Sequence, residues 1–309
     1  MPARNNHAFA FRPFSPKQLK LMYWYMDGSP YQKCDTIIAD GAIRSGKTIA
    51  MICGFFRWSL AAFYGETFIL AGKTIGALKK NVIGPALQIL RGWGLSYVYV
   101  SSGDEARIEV GENVYYLYDA HNERSQDRLQ GLTAAGALAD EVALFPRSFV
   151  EQMVARCSVD GARIWLNCNP ENPAHFVKTE LIDKASEKNI CHLHFLMADN
   201  LTLTAKTRER YERMFSGVFY QRFILGEWVK AEGLVYPMFD RERNVTSERG
   251  GPGRYWISSD YGTQNPTVFA LWREYGGKAV MEKEYYHSGR ESGRQKTDEE
   301  YYQDLEAFA

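Results

Sequence analysis

Gly41-Ala42-Ile43-Arg44-Ser45-Gly46-Lys47-Thr48 satisfies in full the G-x-x-x-x-G-K-[ST] spacing of a phosphate-binding loop. The apolar run Thr36-Ile37-Ile38-Ala39 precedes it, and the helical-looking Ile49-Ala50-Met51-Ile52-Cys53-Gly54-Phe55-Phe56 follows. Such a loop needs a strand, a glycine-rich turn and a helix in that succession. Its backbone N–H groups wrap an anion at a helix N-terminus, where the helix dipole favours negative charge. The pattern predicts that Gly41, Ser45 and Gly46 shape a cradle for a nucleoside triphosphate. Lys47 is expected to reach the β- and γ-phosphates and Thr48 to place its hydroxyl on Mg²⁺. Gly72-Lys73-Thr74 echoes the tail of the motif, but Thr67 stands where its first glycine is required. That echo therefore reads as the end of a second strand and its loop.

The chain has 309 residues, long enough for two domains, and 45% hydrophobic with 14% aromatic content suits folded cores. No apolar run approaches the ~20 residues of a membrane span, and residues 1–14 lack the layout of a secretion signal. Five scattered cysteines without C-x-x-C spacing read as reduced residues and not as a zinc site. Lys and Arg number 37 and so do Asp and Glu. A dedicated DNA-coating protein would be basic, although a local basic face or a ring of subunits can supply a positive field.

From 36 to about 170 strand-like and helix-like stretches alternate, the mark of an α/β domain with a mainly parallel sheet. Core strands are expected at 36–40, 67–71, 137–140 and 163–167, with a hairpin of 107–110 and 114–118. Residues 204–229 read as helical. Across 204–230, six Lys or Arg face three Glu, which suits either a basic surface or a solvated helical face. Glycine and proline density up to Gly253 marks a linker. Strands at 254–260, 267–275 and 278–286 then form a meander, and 297–308 a helix.

What the triphosphate is used for depends on further elements. Ala137-Leu138-Ala139-Asp140-Glu141 is an apolar strand ending in adjacent carboxylates, about ninety residues after the loop. Asp140 is placed to hold Mg²⁺ through water and Glu141 to polarise the attacking water, as in hydrolases of the additional-strand P-loop class. Leu166-Asn167-Cys168-Asn169-Pro170 closes the next strand; Asn167 and Asn169 are candidate sensors of the γ-phosphate, or parts of a plain Asn-Pro turn. Gln18 could pair with adenine with Phe14 stacked on the base, or lie on the surface of a first helix. Arg44, Arg124 and Arg128 are candidate transition-state cations, a role typically worth ~10³–10⁵ in rate.

In this order these elements resemble the large terminase subunit of tailed double-stranded DNA bacteriophages, over nearly the whole chain. The resemblance takes in the segment around Gln18, the arginine-bearing loop, Asp140-Glu141 and Asn167–Pro170. It continues through Gly226-Glu227-Trp228, Leu234-Val235-Tyr236-Pro237-Met238-Phe239 and Ser259-Asp260-Tyr261-Gly262-Thr263-Gln264-Asn265-Pro266-Thr267. It implies an ATPase motor domain over 1–230, a linker over 231–253, and the opening of an RNase H-like nuclease domain over 254–309. It further implies a motor that drives double-stranded DNA into a procapsid and an endonuclease that cuts concatemers. The implied partners are the portal protein, the small terminase subunit and copies of the chain in a ring on the capsid, with a monomer in solution and no membrane. The implied setting is the cytoplasm of the infected bacterium, transiently at the portal and not in the mature virion.

Asp260 would be one ligand of a two-metal Mg²⁺ or Mn²⁺ nuclease site, or the cap of the turn at Gly262. The family draws the remaining carboxylates from later strands, which would follow Ala309. A truncated form with ATP binding retained and cleavage lost is the resulting expectation. A helicase or remodeller shares the loop and acidic pair but needs a second nucleotide-handling half, and none is evident after 230. A non-hydrolytic switch has no need of Glu141.

Overall fold

The computed structural model describes residues 10–103, 106–230, 244–246, 251–262 and 266–309, with backbone alone at 290 and 291. Two compact units emerge, Met1–Gly233 and Leu234–Ala309. Most of the expected linker, including 234–239, lies outside the described residues, as does 263–265.

The first unit is built on an eight-stranded sheet. In chain order the strands are β1 (Thr36–Gly41), β2 (Thr67–Gly72), β3 (Val98–Val100), β4 (Arg107–Val110), β5 (Asn113–Asp119), β6 (Gly136–Asp140), β7 (Arg163–Asn167) and β8 (Ile190–Phe195). Their spatial order is β3-β4-β5-β2-β6-β7-β1-β8. Every pairing from β5 to β8 is parallel, while β3 and β4 form an antiparallel margin.

The central strands read as unbroken apolar runs because both faces are covered, as parallel sheets require. Alternation decides which layer each side chain joins. Ile37, Ala39, Phe68, Leu70, Leu138 and Trp165 meet helices α1 (Pro16–Tyr23) and α2 (Lys47–Ala62). Ile38, Ile69, Ala71, Ala137, Ala139 and Leu166 meet the helix Arg147–Arg156 and the turn Val177–Ile182 on the other side. On the α2 side Phe55, Trp58, Phe68, Tyr115 and Trp165 interlock, with Trp58 and Trp165 centroids 4.7 Å apart. Such aromatic pairs add about 0.5–1.5 kcal/mol beyond area burial.

Two strands escape the pattern reading. β3 has three residues, too few to show a period. β8 is an edge strand with His192 and His194 in it, and those polar positions mask its apolar alternate. The expected helix over 204–229 is also broken. Thr204 caps Ala205–Met214, the chain extends at Phe215 and Ser216, and a π-helical turn Tyr220–Leu225 follows a short turn at Gly217–Phe219. Gly226, in the left-handed region at φ 73°, ends it, so 226–230 is not helical.

In the second unit β9 (Arg254–Asp260), β10 (Thr267–Tyr275) and β11 (Lys278–His287) form an antiparallel meander. The helix Asp298–Phe308, opened by a Thr297–Glu300 capping box, buries Tyr301 and Phe308, with Phe308 beside Phe269.

Candidate functional site

β1 delivers the chain to Gly41 at φ 123°, a left-handed conformation in which a Cβ would overlap the Phe195 carbonyl of β8. The edge strand thus dictates the loop's first glycine. Ala42 N–H donates to that same carbonyl at 2.8 Å, and Ile43 N–H to the Phe223 carbonyl at 2.9 Å. Arg44 also has positive φ, 56°. Its carbonyl accepts from Asn200 Nδ2 at 2.7 Å, and its exposed guanidinium donates to Tyr211 Oη at 3.0 Å.

Lys47 opens α2 and is 6% exposed. Its Nζ donates to Ala42 O (2.7 Å), Gly41 O (3.0 Å), Asn169 Oδ1 (3.2 Å) and Ser45 Oγ (3.3 Å). Burial pulls this ammonium down to about 8, against the opposing influence of Cys168, Asp40, Asp140 and Glu141. The cation is held by neutral oxygens that a phosphate can outbid, since charge-assisted bonds are about twice as strong as neutral ones.

β6 carries Asp140 to the same spot, buried, with Oδ1 accepting from Asn167 Nδ2 at 2.8 Å and Thr48 Oγ1 at 3.3 Å. Burial pushes its carboxyl up, while the bonds from Asn167 and Thr48 and the charge of Lys47 pull it back. Glu141 follows in the left-handed region, φ 62° and ψ 45°, conditions that cost an ordinary residue roughly 1–2 kcal/mol and recur at functional sites. Burial and the neighbouring Asp140 raise its carboxyl. Asn167 Oδ1 accepts from Glu141 N–H at 3.1 Å, and Nδ2 also lies 3.4 Å from Thr48 Oγ1. The two asparagines differ in their partners: Asn167 braces the acidic pair, and Asn169 faces Lys47.

These side chains line one cavity of about 400 Å³, together with Asn81 and Asn200. A neighbouring cavity of about 260 Å³ shares Gly46, Ile49 and Asn200 with it and is walled by Phe14 and Gln18. Gln18 belongs to the α1 capping box: Oε1 accepts from Ser15 N–H at 2.8 Å, leaving Nε2 toward Gly46 O at 3.5 Å. Asn81 and Asn200 were invisible in the sequence, because one lies in a π-helical turn, Lys79–Ile83, and the other in a short loop outside any motif. Asp40 also lacked a signal. It is 1% exposed and accepts from His192 Nε2 (2.7 Å), His194 Nδ1 (3.1 Å) and Trp228 Nε1 (2.7 Å).

Arg124 and Arg128 do not line this cavity. Both are exposed in the 3-10 helix Glu123–Leu129, and Arg128 pairs with Asp119. Thr48 and Asp140 offer the hard oxygen donors that Mg²⁺ takes alongside waters and phosphate oxygens, so the residues present fit that ion. The second unit differs. Asp260 is exposed at the end of β9, and among the described residues no group of three His, Cys, Asp or Glu is arranged to hold a metal.

Residues 38–243 match the family described as terminase large subunit, T4likevirus-type, N-terminal. Among solved structures, the chain is similar to the large terminase of a thermophilic bacteriophage, at 50% identity and TM-score 0.70, over 96% of this chain and 74% of that one. The same thermophilic-phage protein has been solved with ADP (49% identity, TM-score 0.69, 96% and 74% covered) and with ATP-gamma-S (48%, 0.68, 96% and 73%). The HK97 bacteriophage large terminase shares the fold at 14% identity and TM-score 0.53, over 90% and 64% of the two chains. No curated protein sequence matches.

Proposed function

Because this chain belongs to the terminase large subunit family, we propose that it is an ATP-hydrolysing motor subunit that moves double-stranded viral DNA into a procapsid. The observation that carries this is the convergence of Lys47, Thr48, Asp140, Glu141 and Asn169 on one cavity beside a glycine loop. The thermophilic-phage complexes with ADP and ATP-gamma-S support ATP as the ligand. Placement of β7 between β1 and β6 supports the additional-strand, catalytic-glutamate class.

The triphosphate seats against the amides around Ser45 and Gly46, and the Lys47 ammonium exchanges backbone carbonyls for phosphate oxygens. Gln18 and Phe14 border the space for the base. Thr48 and Asp140 would hold Mg²⁺, which would offset the charge of the phosphate groups. Glu141 accepts a proton from the attacking water, and Asn167 keeps that carboxylate on station through its backbone N–H. Arg44 reaches the γ-phosphate by leaving Tyr211. Arg124 or Arg128 is available to a neighbouring subunit, so a ring on the portal completes sites that a monomer leaves slow. DNA, portal protein and small terminase subunit are the partners, in the cytoplasm of an infected bacterium and not in the mature virion. Residues 254–309 are read as the opening of an RNase H-like nuclease domain with Asp260 as one ligand. Plasmid cleavage therefore requires carboxylates beyond those described.

Two variants test the motor reading. Lys47→Ala should abolish binding of ATP-gamma-S by calorimetry. Glu141→Gln should keep that binding while turnover drops by about 10²–10⁴, the range for removing a positioned general base. Unchanged turnover in Glu141→Gln would sink the assigned chemistry.

A further inference from the structure

Arg222 is charged, 8% exposed and set in the π-helical turn Tyr220–Leu225, far in sequence from every motif of the site. Its Nε donates to the Pro170 carbonyl at 2.8 Å, and its Nη2 pairs with Glu171. Both partners directly follow Asn169, whose Oδ1 takes the Lys47 ammonium. The backbone carrying Arg222 is fixed to the phosphate loop by separate contacts. Phe223 O accepts from Ile43 N–H, and Trp228 Nε1 donates to the buried Asp40 carboxylate. Gly226 packs so tightly that a Cβ there would lie 2.8 Å from Ala42 N.

We infer that Arg222 is a positioning residue for ATP hydrolysis, tying the loop of Asn169, Pro170 and Glu171 to the phosphate loop. This inference rests on the motor reading above. A third cavity, of about 190 Å³, gives the tie a chemical consequence. It is lined by Glu141 together with Leu144, Cys168, Asn169, Glu171 and Phe223. Glu141, Asn169 and Glu171 in that lining offer polar partners to water next to the carboxylate that must activate it. Of its walls, Glu171 pairs with Arg222, and Phe223 is the next residue in the chain, its carbonyl bonded to Ile43 N–H. A fork-shaped guanidinium can grip a carbonyl and a carboxylate together, and lysine cannot reproduce that geometry.

The loop sets where water and Asn169 stand without supplying most of the nucleotide's contacts. Removing the tie should therefore slow the chemical step more than it weakens binding. The test uses the 309-residue chain with DNA, measuring ATP turnover and the ATP-gamma-S dissociation constant well below the melting temperature. Arg222→Met is expected to lower kcat about 10- to 100-fold, the loss that displacement by about 1 Å can bring, with the dissociation constant changed less than about threefold. Arg222→Lys should fall between, keeping the ion pair but losing the second bond. Unchanged kcat in Arg222→Met overturns the inference, as does a parallel loss of kcat and binding that tracks the folded fraction. Should Arg222→Met not fold, Glu171→Gln at the more exposed end of the pair should show the same split at smaller size, and wild-type values there also overturn it. Wild-type chain without Lys47-dependent turnover is a separate result, which removes the ATPase reading and this inference with it.

Discussion

At the scale of single residues, the role proposed for Glu141 would set chemistry against stability through its left-handed backbone. Asparagine tolerates that conformation better than glutamate, so Glu141→Asn should raise stability by about 1 kcal/mol in urea unfolding while nearly abolishing ATP turnover. A variant that is both less stable and still active would refute that trade. Asp40 permits a pH prediction. Burial would lift its carboxyl, but hydrogen bonds from His192 and His194, the charge of His192 and the Trp228 bond outweigh burial and leave it well below the usual carboxylate range. A depressed folded-state value stabilises above the unfolded value of about 3.9, and that stability is lost as pH falls toward the folded one. Asp40→Asn should therefore cost about 1–3 kcal/mol at pH 7, with the gap to wild type closing progressively below about pH 4. A gap of constant size from pH 7 to 3 would show that the carboxylate charge is not what stabilises.

At the scale of elements, the contact of α1 with α2 bears on the cavity walled by Phe14 and Gln18. Gly54 of α2 faces Met22 of α1 so closely that a Cβ would lie 2.8 Å from Met22 Cα. Alanine is favoured over glycine in a helix by about 1 kcal/mol, but it would push backbone against backbone, and overpacking costs about 1–3 kcal/mol. Gly54→Ala should therefore come out neutral to about 2 kcal/mol destabilising, and it should weaken ATP-gamma-S binding because α1 carries Gln18. A stability gain of the full propensity value with unchanged binding would show that α1 yields freely. Strands β1, β2, β6 and β7 were readable because burial on both faces leaves an unbroken apolar run. β8 was not, since an edge strand with His192 and His194 carries only half a pattern. The π-helical turns had no sequence signature, because their extra residue per turn is imposed by what the backbone packs against.

For the whole molecule, binding is also stability. ATP-gamma-S at a hundredfold excess over its dissociation constant adds about 2.7 kcal/mol, which for a unit of this size is a rise of about 5–10 °C in Tm. Lys47→Ala should lose that shift, and calorimetry on both proteins checks it; an equal shift in the variant would place the nucleotide elsewhere. The phosphate loop, the acidic pair and the α/β class followed from the sequence alone. Each is a local pattern, in which glycines, a strand period and neighbouring carboxylates carry their meaning within a few positions. The tertiary structure decided what no spacing encodes: that Asn167 braces Asp140 and Glu141 while Asn169 meets Lys47, that Asn81 and Asn200 line the same cavity, and that Asp40 and Arg222 anchor a segment nearly two hundred residues downstream of the loop. Such contacts join residues remote in the chain, so they exist only once packing has brought the sheet and the segments that cross its edge together.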